Sequence, residues 1–153
     1  MRRIKKVAIL GSGVMGSRIA CHFANIGIDV LLLDIIPNEL NAKEIANGIS
    51  TDNEIFKNRI VNEALSSSIK SNPSPIYLKS NTQLITTGNF NDDMSKIAEC
   101  DWTIEVVIEN LVIKKEVFNN VEKYRKKGTL ITSNTSGIPI SMMLEDRSDD
   151  FQK

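Results

Sequence analysis

Residues 7–34 read V-A-I-L-G-S-G-V-M-G-S-R-I-A-C-H-F-A-N-I-G-I-D-V-L-L-L-D, and this stretch decides the fold. The apolar run at 7–10 ends on glycine, as a buried parallel strand does. A helix is predicted over residues 14–25, closed by Gly27, with a second strand over 28–33. Strand, helix and strand together form one βαβ unit, whose right-handed crossover makes the two strands parallel.

The turn between the first strand and the first helix has the pattern G-x-G-x-x-G. It consists of Gly11, Ser12, Gly13, Val14, Met15 and Gly16. The first glycine allows a tight turn, the second lets the backbone approach a pyrophosphate, and the third lets helix and strand pack closely. Free amide groups at the helix N-terminus supply the partial positive charge that a diphosphate needs. We interpret these six residues as a dinucleotide-binding turn; the alternative is a glycine turn without a ligand.

The second predicted strand ends on an acidic residue, Asp34. In dinucleotide-binding turns, a carboxylate about 20 residues after the first glycine accepts hydrogen bonds from the adenosine ribose. Asp34 lies at about this spacing from Gly11. A carboxylate there repels the 2′-phosphate of NADP, and Ile35 and Ile36 follow it where an arginine would accommodate that phosphate. The sequence therefore predicts that the cofactor is NAD.

Helices and strands alternate through the rest of this single domain. The polar segment 37–70 has apolar residues at helical spacings and no strand signal, which predicts a helical insertion of two helices broken near Thr51 and Asp52. The alternation predicts a Rossmann-type, doubly wound α/β fold with a mostly parallel sheet and helices on both faces. The other predicted elements are a turn at 71–75, strands at 83–87, 102–108 and 129–132, and helices at 92–98 and 112–124.

Composition restricts the partners of the chain. Lys and Arg together number 19, as do Asp and Glu, so the formal net charge is zero and no basic field attracts nucleic acid. No apolar run approaches about 20 residues, and the basic N-terminus leads into the glycine turn, so we expect no membrane span, no signal peptide and a cytoplasmic location. Cys21 and Cys100 lack metal-ligand spacing, so we expect no metal site and two reduced packing residues.

Three stretches of the sequence resemble one enzyme family. Besides residues 7–34, they are D-W-T-I-E-V-V-I-E-N-L-V-I-K at 101–114 and S-N-T-S at 133–136. Together they are similar to the NAD-binding half of 3-hydroxyacyl-CoA dehydrogenases. These enzymes oxidise (S)-3-hydroxyacyl-CoA to 3-oxoacyl-CoA with NAD, in fatty acid β-oxidation or related CoA metabolism. The pairing of I-E-x-x-x-E-N-x-x-x-K with a later S-N-T-S is more specific than the glycine pattern alone.

The resemblance implies roles for four further residues. In the family, the second glutamate of I-E-x-x-x-E-N and the lysine five positions later lie beside the cofactor, and here these are Glu109 and Lys114. The last serine of S-N-T-S, here Ser136, lies near the nicotinamide and the 3-oxygen of the substrate in a supporting catalytic role, and Asn134 belongs to the same loop. From residue type alone, the alternatives are a solvated helix-start carboxylate for Glu109, a solvated helix-surface cation for Lys114 and a capping serine for Ser136.

One part of the family's machinery is missing from this sequence. The family's general base is a histidine in an H-F-F-N-P type segment that follows S-N-T-S, and the resemblance implies a C-terminal domain that completes the acyl-CoA site and forms any homodimer. The only histidine here, His22, falls in the middle of the first predicted helix, where we expect a surface or packing role. We therefore expect this chain to bind NAD and to turn over little or no substrate by itself.

Two other functions are compatible with the same residues. One is another NAD-dependent, two-domain dehydrogenase of the same superfamily that acts on a small hydroxy acid. The other is a non-catalytic domain that responds to NAD or serves in assembly. The residues that follow Lys153 would separate the first alternative from the family named above, and the second alternative predicts a stop codon shortly after Lys153.

Overall fold

The computed structural model describes residues 3–152 and contains a five-stranded sheet. The strands are β1 (Lys6–Leu10), β2 (Asp29–Asp34), β3 (Ile85–Asn89), β4 (Trp102–Glu105) and β5 (Leu130–Ser133). Their order across the sheet is β3-β2-β1-β4-β5, and each neighbouring pair is parallel. This is the strand order of a doubly wound, dinucleotide-binding fold, with β1 in the centre. The predicted Rossmann-type architecture is confirmed.

Helices connect the strands and cover the sheet. They are α1 (Val14–Asn25), α2 (Ala42–Ala46), α3 (Glu54–Lys57), α4 (Arg59–Ile69), α5 (Phe90–Asp93), α6 (Leu111–Tyr124) and α7 (Ile140–Leu144), with 3₁₀ helices at Lys79–Leu84 and Met94–Glu99. In the described part of the chain, none of them has the length and apolar character of a membrane-spanning helix.

Alternate residues of β1 belong to two separate cores, one on each face of the sheet. The core that contains Val7 and Ile9 is completed by α1 and α4. The core that contains Ala8 and Leu10 is completed by α6, α7 and the 3₁₀ helix Met94–Glu99. Because residues 7–10 of β1 are buried on both faces, they are all apolar rather than alternating, which is typical of a central parallel strand. The prediction of helices on both faces is confirmed.

The helical insertion contains three helices rather than the predicted two. The expected break near Thr51 and Asp52 separates α2 from α3, and the Asn53 side chain caps α3 by accepting a hydrogen bond from the Ile55 amide. A second break at Asn58 separates α3 from α4. The Asn58 side chain accepts a hydrogen bond from Asn89 Nδ2 at 2.9 Å, so a long-range contact that local spacing cannot show stabilises this break.

Several predicted bounds differ from the structure. The strand predicted at 102–108 ends at Glu105, because the carboxylate of this residue accepts the amide of Val107 at 2.7 Å and turns the chain out of the sheet. The strand predicted at 83–87 begins at Ile85, because the 3₁₀ helix before it includes residues 83 and 84. The helix predicted at 92–98 is divided between α5 and the following 3₁₀ helix.

The segment after β5 contains α7, which the sequence analysis did not predict. Its Met143 is completely buried in the core beneath α6. Beyond α7 the chain is held by two ion pairs, Arg147 with Glu122 of α6 at 3.1 Å and Asp150 with Arg125, the C-cap residue of α6, at 2.6 Å. Because α7 has only five residues, its short apolar pattern is too brief to distinguish a helix from a loop.

Candidate functional site

The glycine turn joins β1 to α1 at the carboxyl edge of the sheet. Gly11 has a φ of +107°, and a Cβ atom there would lie 2.6 Å from the carbonyl oxygen of Val106. A Cβ atom on Gly16 would lie 1.8 Å from the carbonyl oxygen of Gly11. Both positions therefore require glycine for steric reasons. Gly13 differs, because a Cβ atom there would meet nothing within 4 Å and would enter open space.

The N-terminus of α1 is open to a ligand. Gly13 is its N-cap residue, and no side chain in the described chain caps the helix. Gly13, Val14 and Met15 are exposed, so the backbone amides of the first turn face solvent. An uncapped helix of 12 residues at this place provides donors and a positive dipole end for a diphosphate.

Asp34 ends β2 beside this turn. Its Oδ2 atom accepts hydrogen bonds from the amide and the hydroxyl of Ser12, at 2.6 and 2.5 Å, and its Oδ1 atom accepts the Ile35 amide at 2.8 Å. Ser12 is completely buried, so its side chain contacts Asp34 rather than the open surface of the turn. Oδ1 retains one acceptor position, which a ribose hydroxyl could occupy.

A cleft of about 250 Å³ lies beside the glycine turn and Asp34. Much of its wall is apolar, formed by Ile35, Phe90, Val106 and Ile113. A mostly apolar wall with a few polar groups at one end suits a flat base joined to a ribose. The cleft, Asp34 and the free end of α1 therefore form one continuous surface for the adenosine and diphosphate part of a dinucleotide.

A buried ion pair lies on the other side of β1. Lys114 of α6 places its ammonium 2.8 and 3.0 Å from the two carboxylate oxygens of Glu105, and the two side chains are 1% and 0% exposed. The same ammonium lies 3.3 Å from Oε2 of Glu109. Lys114 is thus buried and paired, and the alternative of a solvated helix-surface cation is wrong.

Glu109 connects this pair to the loop after β5. Its Oε1 atom accepts hydrogen bonds from the Thr135 hydroxyl and from the amides of Gly137 and Ile138, the last two at 2.9 and 3.2 Å. The Thr135 hydroxyl, the Gly137 amide and the Lys114 ammonium together lower the pKa of Glu109 to about 2. Glu109 therefore orders the loop that contains S-N-T-S, and it is not merely a solvated carboxylate at a helix start.

Asn134 and Ser136 both lie exposed on this loop, beside the carboxyl edge of the sheet. The backbone amide of Asn134 donates to the backbone carbonyl oxygen of Glu105 at 2.8 Å, which extends the pairing of β4 and β5. Helix capping by Ser136, its predicted alternative, is not observed, since Pro139 is the N-cap residue of α7. The contacts of Asn134 and Ser136 with cofactor and substrate remain predictions.

Glu105, Ser133 and Thr135 belong to this site although the sequence patterns did not predict them. The Ser133 hydroxyl donates to Oε2 of Glu105, so this buried carboxylate is connected to β5 as well as to α6. One signal was available: Glu105 is an acidic residue inside an otherwise apolar, β-branched strand, where an unpaired charge would be costly. Such a residue requires a buried partner, and Lys114 provides it.

His22 and the two cysteines lie outside this site. His22 is exposed on α1, with its ring 6.0 Å from that of Phe23, which confirms the predicted surface role. Cys21 and Cys100 are buried and free, and burial raises the pKa of the Cys100 thiol to about 11. Among residues 3–152 there is no cluster of three or more potential metal ligands.

Residues 6–152 match the family model of the 3-hydroxyacyl-CoA dehydrogenase NAD-binding domain. The chain belongs to this family. The match covers both halves of the site, from the glycine turn to the loop after β5, and the cofactor of this domain is NAD. The predicted family resemblance is confirmed.

Proteins similar to this NAD-binding domain are named as 3-hydroxyacyl-CoA dehydrogenases. The chain is 50% identical over 151 residues to a probable 3-hydroxyacyl-CoA dehydrogenase of Bacillus subtilis, covering 99% of this chain and 19% of the relative. It is 38% identical over 152 residues to a protein of the same name from Deinococcus radiodurans, covering 99% of this chain and 40% of that relative. The domain therefore spans less than half the length of these relatives.

A solved structure shows the same fold. The crystal structure of 3-hydroxybutyryl-CoA dehydrogenase from Escherichia coli is 25% identical, with a TM-score of 0.63 over 97% of this chain and 28% of that one. The residues of the present domain fit NAD on physical grounds. The uncapped end of α1 matches a diphosphate, and the Asp34 carboxylate disfavours the additional phosphate of NADP.

Proposed function

We propose that this domain is the cofactor half of an enzyme that oxidises (S)-3-hydroxyacyl-CoA to 3-oxoacyl-CoA with NAD. The observation that carries the proposal is the joint presence of an open α1 N-terminus, Asp34 and the ordered loop of Ser136 along one edge of the sheet. The names of the full-length relatives support the choice of acyl-CoA substrate.

The residues of this domain bind and orient the cofactor. The α1 N-terminus holds the diphosphate and Asp34 accepts a ribose hydroxyl, which directs the other half of the molecule toward β4 and β5. NAD supplies the acceptor for the hydride that leaves the hydroxyl-bearing carbon. In this proposal Ser136, which is exposed on the loop after β5, donates a hydrogen bond to the substrate oxygen at that carbon.

The general base comes from outside residues 1–153 in this proposal. A base near neutral pH must accept the hydroxyl proton as the hydride leaves, which suits a histidine. The only histidine of the sequence, His22, lies eight residues after the start of α1, about 12 Å along the helix from the phosphate end. The helical C-terminal domain that the family resemblance implies would supply both the base and the remaining acyl-CoA contacts.

Comparing a thioester with its free acid tests the substrate class. The protein that contains this domain in full is mixed with NADH and either acetoacetyl-CoA or acetoacetate, and NADH consumption is followed by its absorbance. The proposal predicts rapid consumption with acetoacetyl-CoA and far slower consumption with acetoacetate. Equal rates would indicate an enzyme for small hydroxy acids instead. NADH binding without reduction of either compound would favour a non-catalytic NAD-responsive domain.

A further inference from the structure

Glu105 forms the centre of a hydrogen-bond network at the end of β4. Its carboxylate is completely buried and accepts four hydrogen bonds: one from the Val107 amide at 2.7 Å, two from the Lys114 ammonium and one from the Ser133 hydroxyl. Burying a carboxylate costs several kcal/mol unless it is paired and hydrogen-bonded. All the acceptor capacity of Glu105 is used, so this arrangement has little freedom to change.

The partners of Glu105 belong to three different segments of the chain. Val107 lies in the loop between β4 and α6, Lys114 is the fourth residue of α6, and Ser133 is the last residue of β5. Lys114 then reaches Glu109, whose carboxylate holds the loop 135–138. One buried carboxylate therefore fixes the relative positions of both loops that follow β4 and β5.

These two loops lie on the side of β1 opposite to Asp34. β2, which carries Asp34, is one neighbour of β1, and β4 is the other neighbour, with β5 beyond it. A dinucleotide bound across such a sheet places its two nucleotides on opposite sides of the central strand. With the adenosine ribose at Asp34, the nicotinamide riboside lies over the loops that Glu105 connects.

We propose that Glu105 is a positioning residue for the nicotinamide half of NAD. It does not touch the cofactor, because its side chain is completely buried beneath the loops. It acts through Lys114 and Ser133, which hold the surface on which the nicotinamide riboside rests. This inference rests on the binding of NAD by the domain and is independent of which substrate the full protein oxidises.

Binding of NADH and of ADP to Glu105→Gln tests the proposal. ADP contains the adenosine and diphosphate but lacks the nicotinamide riboside, so it occupies the α1 N-terminus and the cleft beside Asp34 without reaching the loop 135–138. The amide group of glutamine places an N–H where an oxygen now faces the Lys114 ammonium or the Val107 amide, which breaks the network. We expect the NADH dissociation constant to rise about tenfold or more, the scale of one lost hydrogen bond to a charged group. The ADP dissociation constant should rise clearly less than that of NADH, since ADP makes no contact with the loop 135–138 and shares only the cleft wall near Val107 with the network.

Two further variants complete the experiment. Ser133→Ala removes one hydrogen bond and leaves the buried ion pair intact, so it keeps the test valid if Glu105→Gln fails to fold; we expect a smaller loss of NADH affinity, about threefold, with ADP binding unchanged. Thr103→Val is the matched control. Thr103 is also completely buried in β4, but its hydroxyl has no hydrogen-bond partner in the described structure. This control should bind both ligands as the unmodified domain does.

The outcomes separate positioning from general stability. Loss of NADH affinity with retained ADP affinity supports the proposal. Equal losses for both ligands would mean that Glu105 only stabilises the fold, and unchanged NADH affinity in Glu105→Gln and Ser133→Ala would also overturn the proposal. If the unmodified domain bound ADP and NADH equally weakly, the proposed binding of NAD itself would be wrong. This outcome is distinct from a failure of the proposed role of Glu105.

Discussion

The two sides of the cofactor site are built by different physical means. On the β2 side, the groups proposed to contact the ligand are the exposed backbone of the glycine turn and one carboxylate, that of Asp34. On the β4 side, a buried ammonium between Glu105 and Glu109 holds two loops in place. The first side depends on steric fit of the main chain. The second depends on compensation of charges inside the protein, so the two sides should respond differently to substitution.

The largest effect should come from removing the buried cation with Lys114→Met. Breaking a buried pair leaves the Glu105 carboxylate without its counter-charge, so the free energy of unfolding should fall by about 3–5 kcal/mol. The matched control is Lys115→Met, whose ion pair with Glu145 is solvent-exposed and should contribute less than about 1 kcal/mol. Urea unfolding of both variants measures the difference. Similar losses for the two would show that the buried network has no special part in stability.

Two substitutions separate the role of the glycine turn in folding from its role in ligand binding. Gly16→Ala forces a methyl group against the Gly11 carbonyl oxygen, so it should destabilise the fold by about 1–3 kcal/mol or more. Gly13→Ala meets no atom of the protein, so it should leave the unfolding midpoint nearly unchanged and weaken NADH binding, because the methyl group occupies the space of the diphosphate. Thermal unfolding and NADH titration check both. A Gly13→Ala variant with normal NADH affinity would place the diphosphate elsewhere.

A smaller effect is expected from Asp34→Ala on the β2 side. Loss of the ribose contact should weaken NADH binding by about 1–3 kcal/mol, the scale of a hydrogen bond to a charged group. Calorimetric titration provides the measurement. An unchanged dissociation constant would contradict the ribose contact, whatever the effect on stability.

The smallest effect should be the pH dependence that Glu109 contributes. Its pKa is about 2 in the folded protein against 4.5 as the ordinary value, so its contribution to stability is fully present above about pH 5. As the pH falls from 5 to 2, the unfolded chain takes up a proton that the folded chain does not, and this contribution is lost. Unfolding free energies of the unmodified domain and Glu109→Gln should therefore converge over this range. Parallel pH profiles of the two proteins would exclude the depressed pKa.

The contrast between the two sides also explains how much the sequence could show. The proximity of the glycine turn to Asp34 was predicted, because the turn and the acid at the end of β2 are separated by a fixed distance along one βαβ unit. The network around Glu105 was missed, because Ser133 and Lys114 meet it only after β5 and α6 have packed against β4. Family resemblance identified Glu109 and Lys114 but not that Lys114 is buried.

Some predicted bounds of helices and strands were wrong for the same reason. The break at Asn58 depends on a hydrogen bond with Asn89, and the end of β4 depends on the Glu105 carboxylate turning back to Val107. Both are contacts made by side chains, which hydrophobic spacing does not encode. By contrast, α1 was predicted with its observed bounds, because a glycine turn and a terminal glycine define its ends.

Parallel calorimetric titrations of NADH and NADPH into this chain test the central claim most directly. Calorimetry is preferable to tryptophan fluorescence, because Trp102 lies at the start of β4, with its indole hydrogen-bonded to Thr132 and packed on Phe23, away from the glycine turn. With the diphosphate on α1 and the ribose at Asp34, NADH should bind at least about tenfold more tightly than NADPH. Equal affinity for the two would contradict the claim.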